Sequence, residues 1–249
     1  MPNRIITPRA IHPRHSLLDG LVAFWPMCES GGDRVDLVGG MSLTDNNTVG
    51  QSDGKIGKAA LFTPAQNEFF SIPDSPKVSV GDGGNDKYAL TAWILLNGTP
   101  TTGNGRYLLF GRNSCGGPAT DFEFDVIART PSGTTVISHE GTNNAGTYAL
   151  VDATFPGGFS TGVWYFLYVF ADGSNIGASI NNSAPVTSAW SGALRDGGES
   201  FRVGSLCGTS LFFDGRMQNV GFWKGRALTQ PEVDWQWNAG NGRPFPWRA

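Results

Sequence analysis

Three carboxylate side chains alternate along one predicted strand of this 249-residue sequence. Asp121, Glu123 and Asp125 stand at positions i, i+2 and i+4, so an extended backbone places them on one face. Alternate strand residues lie about 6.6 Å apart, and retaining glycoside hydrolases use two acids roughly 5–5.5 Å apart as nucleophile and general acid. The pattern therefore permits glycoside hydrolysis. An acidic face that is solvated, or that binds a cation, is the simpler interpretation.

A glycine-rich segment at positions 81–86 brings a second set of oxygen-bearing side chains together. Calcium takes about six to eight oxygen ligands, which makes Asp82 and Asp86 candidate calcium ligands. The segment does not follow the helix–loop–helix calcium pattern. A connecting loop without a metal explains its composition more simply.

Tryptophans form a third group of candidates, because an aromatic ring offers a flat apolar surface for the face of a sugar. Trp190 lies in the segment SAWSG at 188–192, whose small and polar residues predict an exposed loop. Trp235, Trp237 and Trp247 are further candidates for sugar stacking. The alternative for each of them is an ordinary place in the core.

The cysteines and histidines suggest no further chemistry. Cys28, Cys115 and Cys207 lie far apart in the sequence and cannot all pair within one chain, which predicts reduced thiols. No Cys-x-x-Cys or His-x-x-x-His spacing supports a zinc site. The three histidines are isolated, so no Ser-His-Asp or Cys-His arrangement can be assembled from local motifs.

Composition and charge exclude two classes of partner. The formal net charge is -3, whereas a nucleic-acid binder concentrates lysine and arginine on a basic face. The longest apolar run, at 163–171, is far shorter than the roughly 20 residues that span a bilayer, so no membrane insertion is expected. Prolines and arginines interrupt residues 1–20, and we expect no signal peptide there.

The elements that must position these side chains are predicted to be strands. Short apolar runs recur between turn residues, and the chain contains 35 glycines and 15 prolines. Residues 88–96 should have both faces covered, and the uniformly apolar residues 163–171 should form a central strand. One short helix is predicted near the C-terminus, because Thr229 and Glu232 have capping-box spacing and Gly240 can end the helix.

Residues 1–19 differ from the rest of the sequence and predict an extended N-terminal arm. The segment contains three prolines and the arginines Arg4, Arg9 and Arg14, and it has no helical period. A terminus of this kind is usually ordered only when it is held by other structure. We therefore interpret it as an anchoring arm that binds its own domain or a neighbouring chain.

Residues 20–243 resemble the laminin-G-like, concanavalin A-like jelly rolls, and the order and spacing of several segments carry this resemblance. These segments are GLVAFWPM (20–27), GKIGKAALF (54–62), FFSIP (69–73), LTAWILL (90–96), VWYFLYVFADG (163–173), FRVGS (201–205) and the closing strand, loop and helix at 213–242. The resemblance implies an all-β fold of two antiparallel sheets with one short C-terminal helix, in a domain at 20–249. Members of the family include lectins, adhesion modules, calcium-dependent binders and glycosidases.

The sequence thus favours a non-catalytic structural or binding protein. The anchoring arm and the expected lack of a signal peptide predict a virion surface protein, of capsid-decoration or tail-fibre type, assembled in the host cytoplasm. The arm would bind other virion proteins or its own subunits, and the jelly roll would bind a glycan or a protein. The alternatives are a glycoside hydrolase that uses Asp121, Glu123 and Asp125, and a free calcium-dependent lectin.

Overall fold

The computed structural model describes residues 16–81, 87–100, 105–115 and 122–247, which form fifteen strands and one α-helix. The strands are β1 (Leu21–Trp25), β2 (Thr44–Asn46), β3 (Gly50–Asp53), β4 (Lys58–Phe62), β5 (Phe69–Ile72), β6 (Lys87–Leu96), β7 (Arg106–Asn113), β8 (Phe122–Arg129), β9 (Val136–Thr142), β10 (Tyr148–Thr154), β11 (Trp164–Asp172), β12 (Asn175–Ile180), β13 (Val186–Ala189), β14 (Phe201–Val203) and β15 (Gly215–Lys224). The helix is α1 (Gln230–Trp237).

The strands form two antiparallel sheets, which confirms the predicted fold class. The eight-stranded sheet has the order β13-β12-β11-β6-β15-β4-β3, with β1 paired to β15. The seven-stranded sheet has the order β10-β9-β8-β7-β14-β5-β2. The apolar strand β11 lies between β12 and β6, inside its sheet as expected.

The main core lies between the two sheets and is built from alternate residues of each strand. Leu90, Ala92 and Ile94 of β6 point into it from one sheet, and Phe124 and Val126 of β8 do so from the other. Because every second residue of β8 faces this core, the residues between them face outward. The acidic side chains of β8 therefore lie on the outer face of the seven-stranded sheet.

A second apolar cluster covers the outer face of the eight-stranded sheet. Trp237 of α1 stacks on Trp93 of β6 with 5.4 Å between ring centroids, and Trp247 stacks on Trp223 of β15 at 5.9 Å. Both faces of β6 are thus covered, as the sequence predicts. Trp247 is buried, which excludes it from sugar stacking, whereas Trp235 and Trp237 are half-buried. Sugar stacking by Trp235 or Trp237 stays a prediction.

The predicted cap of α1 is present. The Thr229 N–H donates to the Glu232 carboxylate at 2.8 Å, and burial opposes but does not outweigh the hydrogen bonds that lower the pKa of Glu232. The helix ends before the predicted residue Gly240, because Asn238 already adopts the left-handed conformation. In the described part of the chain no helix is long and apolar enough to cross a membrane.

The end of the predicted arm packs on the sandwich. Ser16–Leu18 form a single 3-10 turn in which Leu17 is buried, and the Trp223 indole N–H donates to the Leu17 carbonyl at 2.8 Å. The arginines Arg4, Arg9 and Arg14 lie outside the described residues. What the rest of the arm binds stays a prediction.

The prediction of reduced cysteines is wrong for two of the three. Cys115 and Cys207 form a disulfide, with 5.4 Å between their Cα atoms, and Cys28 is free and exposed. The two bonded residues are 92 positions apart in the sequence. They follow β7 and β14, which are neighbours in the seven-stranded sheet, so the topology brings their loops together.

Candidate functional site

Two of the three predicted acids share the outer face of the seven-stranded sheet, but neither is exposed to solvent. Glu123 has 0% of its surface exposed and Asp125 has 3%. The prediction of a solvated acidic face is therefore wrong for these two residues. Asp121 lies outside the described residues, so the triplet is not described as a whole.

Glu123 is held by partners on both of its carboxylate oxygens. Oε2 accepts from Arg112 Nε, and Oε1 accepts from Ser79 Oγ at 3.1 Å, from the Gly81 N–H at 2.6 Å and from the Val80 N–H. Burial raises the pKa of Glu123, whereas Arg112 and the two backbone donors lower it. The carboxylate therefore fixes residues 79–81 against β8 and has no open side for a substrate.

Asp125 is held on one oxygen only. Its Oδ2 accepts from Asn113 Nδ2 at 2.6 Å, while Oδ1 is buried and has no partner in the described part of the chain. Gly111 stands opposite in β7, and a Cβ there would come within 2.2 Å of Oδ1. Glycine at 111 thus provides the space that the carboxyl group occupies.

Glu140 of β9 is the cross-strand neighbour of Asp125 on the other side, and it was not identified from the sequence. Burial, and to a lesser degree the Glu140 charge, raises the pKa of Asp125 well above its usual value. Burial also raises the pKa of Glu140, which is hydrogen-bonded to Tyr148. A pair of carboxyls whose pKa values are both raised by burial is thus enclosed in the sheet face, and only the strand register reveals the pair.

The remaining predicted candidates are the calcium ligands Asp82 and Asp86 and the ring of Trp190. Asp82 and Asp86 lie outside the described residues, and among the residues that are described no three acidic, histidine or cysteine side chains are grouped to hold a metal ion. Trp190 is 5% exposed, packs over Gly141, and donates from Nε1 to the Gly192 carbonyl at 3.0 Å. The prediction of an exposed Trp190 is wrong, because the ring packs against Gly141 of β9 and belongs to the main core.

A cavity of about 360 Å³ opens at one end of the sandwich, where sequence reasoning placed no site. Three connections form it, namely those between β6 and β7, between β8 and β9, and between β10 and β11. The residues that line it, here called the loop cavity, are Thr99, Gly133, Thr134, Thr135, Phe155, Gly158 and Phe159. Their local sequences carry glycine, threonine and phenylalanine, which alone are too common in turns to indicate a site.

The two stacked antiparallel sheets define a concanavalin A-like sandwich. Residues 67–234 match a laminin G family model described as the concanavalin A-like lectin/glucanases superfamily, and the chain belongs to this family. A comparison with curated protein sequences gave no match.

Solved structures share the fold at low sequence identity. Domain 4 of an extracellular arabinanase from Geobacillus stearothermophilus, solved in complex with arabinotriose, matches with a TM-score of 0.59 and 19% identity, over 90% of this chain and 98% of that one. The binding domain of Paraclostridial Mosquitocidal Protein 1 matches with a TM-score of 0.68 and 13% identity, over 90% and 53%. The receptor binding domain of botulinum neurotoxin mosaic serotype C/D matches with a TM-score of 0.65 and 9% identity, over 90% and 51%. The chain thus spans about half the length of these toxin domains.

Proposed function

We propose that this protein is a non-catalytic glycan-binding protein that is carried on a virion surface, as a capsid-decoration or tail-fibre component. The main support for a non-catalytic role is that the Glu123 carboxylate is buried and hydrogen-bonded. Both oxygens of its carboxylate are engaged and none of its surface is exposed. A nucleophile or general acid must reach the substrate, and this carboxylate is used to hold the fold.

Two comparisons support the glycan-binding part. The arabinanase domain that matches this chain over almost its whole length was solved with a bound oligosaccharide. The toxin domains that share the fold are binding and receptor-binding domains. Fold likeness alone does not fix function, so the proposal needs a direct binding measurement.

Glycan binding is tested with the full chain on an array of neutral and acidic oligosaccharides, followed by titration calorimetry of each hit. We expect saturable binding of at least one oligosaccharide. Absence of binding across the array would contradict the proposal. Binding abolished by a chelator and restored by calcium would favour the calcium-dependent lectin instead.

Two features support a particle-surface setting. The Leu17 contacts hold the start of the described chain against the sandwich, and we propose that residues 1–15 bind a neighbouring virion protein. The Cys115–Cys207 disulfide suits a protein that works outside the reducing cytosol. Removal of residues 1–15, which leaves Leu17 in place, should abolish association with purified particles, and undiminished association would contradict the anchoring role.

Glycoside hydrolysis is the second candidate, and one observation favours it. Asp125 and Glu140 stand opposite each other on adjacent strands, and burial raises the pKa of both carboxyls, as in a general acid. Their burial argues against it, because a polysaccharide has no path to them. Cleavage of any polysaccharide by the wild type, lost in both D125N and E140Q, would establish this alternative.

A further inference from the structure

The loop cavity has the size and the lining of a small-molecule site. Its volume of about 360 Å³ lies within the range of roughly 300–1,000 Å³ that such sites usually have. Phe155 and Phe159 form its apolar wall, with 5.1 Å between their ring centroids. The threonines add polar groups, and a mixture of aromatic surface and a few hydrogen-bonding groups is typical of a site that orients its ligand.

Two of the residues that line this cavity are glycines with positive φ. Gly133 has φ +82° and Gly158 has φ +92°, conformations that other residues rarely adopt. A Cβ at either position would meet no atom within 4 Å, so each of these glycines borders open space. The backbone at these two positions of the cavity rim therefore favours glycine.

The hydroxyl groups of the cavity are suited to a ligand that carries hydroxyls. Thr99 and Thr134 are exposed, and each hydroxyl can donate one hydrogen bond and accept others. Thr135 is buried, and its hydroxyl lies 3.2 Å from that of Thr130, which holds it in place. A sugar offers matching donors and acceptors around an apolar ring face.

The lining of the cavity carries no charge, and this favours uncharged sugars over acidic ones. None of the residues that line it is ionisable. Arg129, which ends β8 just before this loop, already donates to both oxygens of Asp152 at 2.9 and 2.8 Å. A carboxylate or sulfate brought into the cavity would lose water without gaining a cationic partner, which is unfavourable.

We propose that the loop cavity is the saccharide site of this protein and that it takes an uncharged sugar residue at the end or along the length of a neutral glycan. This inference rests on the proposed glycan-binding function and adds the location of the site and the class of sugar. It also places the site at an end of the sandwich, away from the acidic side chains of β8.

The test compares substitutions at Thr134 with matched substitutions at Thr187, an exposed threonine on the edge strand β13. Thr134→Arg places a long charged side chain in the cavity and should weaken binding of neutral oligosaccharides at least tenfold. Thr134→Val removes one hydroxyl and should weaken it about threefold to tenfold, the range for one hydrogen bond. Thr187→Arg and Thr187→Val should bind as the wild type does.

The probes are arabinotriose, maltotriose and trigalacturonic acid, applied by calorimetry after the array, together with any other oligosaccharide that the array identifies. Thermal unfolding of each variant checks that it is folded, which both exposed positions favour. If the wild type binds a neutral oligosaccharide and the Thr134 variants bind it equally well, the location is wrong and the proposed function stands. Binding of acidic oligosaccharides alone would overturn the sugar class, and no binding at all would overturn the proposed function itself.

Discussion

Arg112 and Glu123 form an ion pair in which neither side chain has any surface exposed to solvent. Arg112 also donates from Nη2 to Asp74 at 2.7 Å, so one guanidinium joins β7, β8 and the segment after β5. Removing one partner of a buried pair leaves the other charge without compensation, and this costs more than the pair contributes. Glu123, the predicted catalytic acid, therefore stabilises the contact between β7, β8 and the segment after β5 through its ion pair with Arg112.

Glu123→Gln should destabilise the protein strongly. It removes the charge that compensates Arg112, so we expect the free energy of unfolding to fall by roughly 3–5 kcal/mol, as for other buried pairs that lose one partner. Urea unfolding followed by tryptophan fluorescence measures this change. A loss below about 1 kcal/mol, the size of an ordinary neutral hydrogen bond, would show that the Arg112–Glu123 ion pair does not stabilise the fold in this way.

Asp125→Asn should be tolerated at the same sheet face, and it is the matched comparison for Glu123→Gln. Because burial raises the pKa of Asp125, its carboxyl tends to keep its proton, and an amide of the same shape replaces it. We expect a change in unfolding free energy within about 1 kcal/mol near pH 4, where the carboxyl is still partly protonated in the unfolded chain as well.

The pH dependence of this variant has a definite sign. The folded protein holds a proton at Asp125 that the unfolded chain releases above its usual pKa of about 3.9, so wild-type stability from this group falls as pH rises above that value. The Asp125→Asn variant does not have this pH-dependent loss of stability, because its amide does not titrate. The stability of the variant relative to the wild type should therefore increase as pH rises from about 4, and a decrease would contradict the raised pKa.

His139 should make the protein sensitive to acid. It is fully buried in the core, where one ring nitrogen contacts the Tyr88 hydroxyl and Nδ1 lies 3.0 Å from the Gly177 carbonyl, and burial lowers its pKa to about 4. The unfolded chain binds a proton near pH 6.5, so stability from this group is lost as pH falls from about 6.5 to 4, by roughly 3 kcal/mol.

His139→Gln separates this effect from that of the carboxyls. Glutamine offers polar atoms but does not titrate, so the variant should lose less stability than the wild type between pH 7 and pH 4. Urea unfolding at both pH values gives the difference. Equal losses in the two proteins would show that His139 is not the group responsible.

Reduction of the Cys115–Cys207 bond should lower the free energy of unfolding by about 2–4 kcal/mol, since the bond closes a long loop and restricts the unfolded chain. Cys207→Ser should have the same effect as reductant. Cys28→Ser is the control, because Cys28 is free and exposed. If the control and Cys207→Ser melt at the same temperature, the bond contributes nothing to stability.

The sheets were predictable because the pattern of apolar residues follows directly from what each strand buries. Leu90, Ala92 and Ile94 alternate with residues that contact the covering layer, and this spacing is visible in the sequence. The cap at Thr229 was predictable for the same reason, since the interaction spans only three residues. Local rules were sufficient wherever the partners were close in sequence.

The sites were less predictable because they depend on partners that are distant in sequence. Asp125 and Glu140 become neighbours only through the register of β8 with β9, and Cys115 meets Cys207 only through the order of strands in the sheet. Alternation placed Glu123 on the outer face correctly, but it gave no information on the segment 79–81 that covers it. Composition around Trp190 described a loop and could not show what the ring packs against.

Trp223 contacts residues near both ends of the described chain. Its indole N–H donates to the Leu17 carbonyl, and its ring stacks on Trp247. Leu17 and Trp247, near the two ends of the described chain, therefore lie on the same outer face of the eight-stranded sheet. A domain whose ends lie side by side can be inserted into a loop of another protein without distorting that protein. The loops at the ends of the sheets then stay free to vary without disturbing that junction.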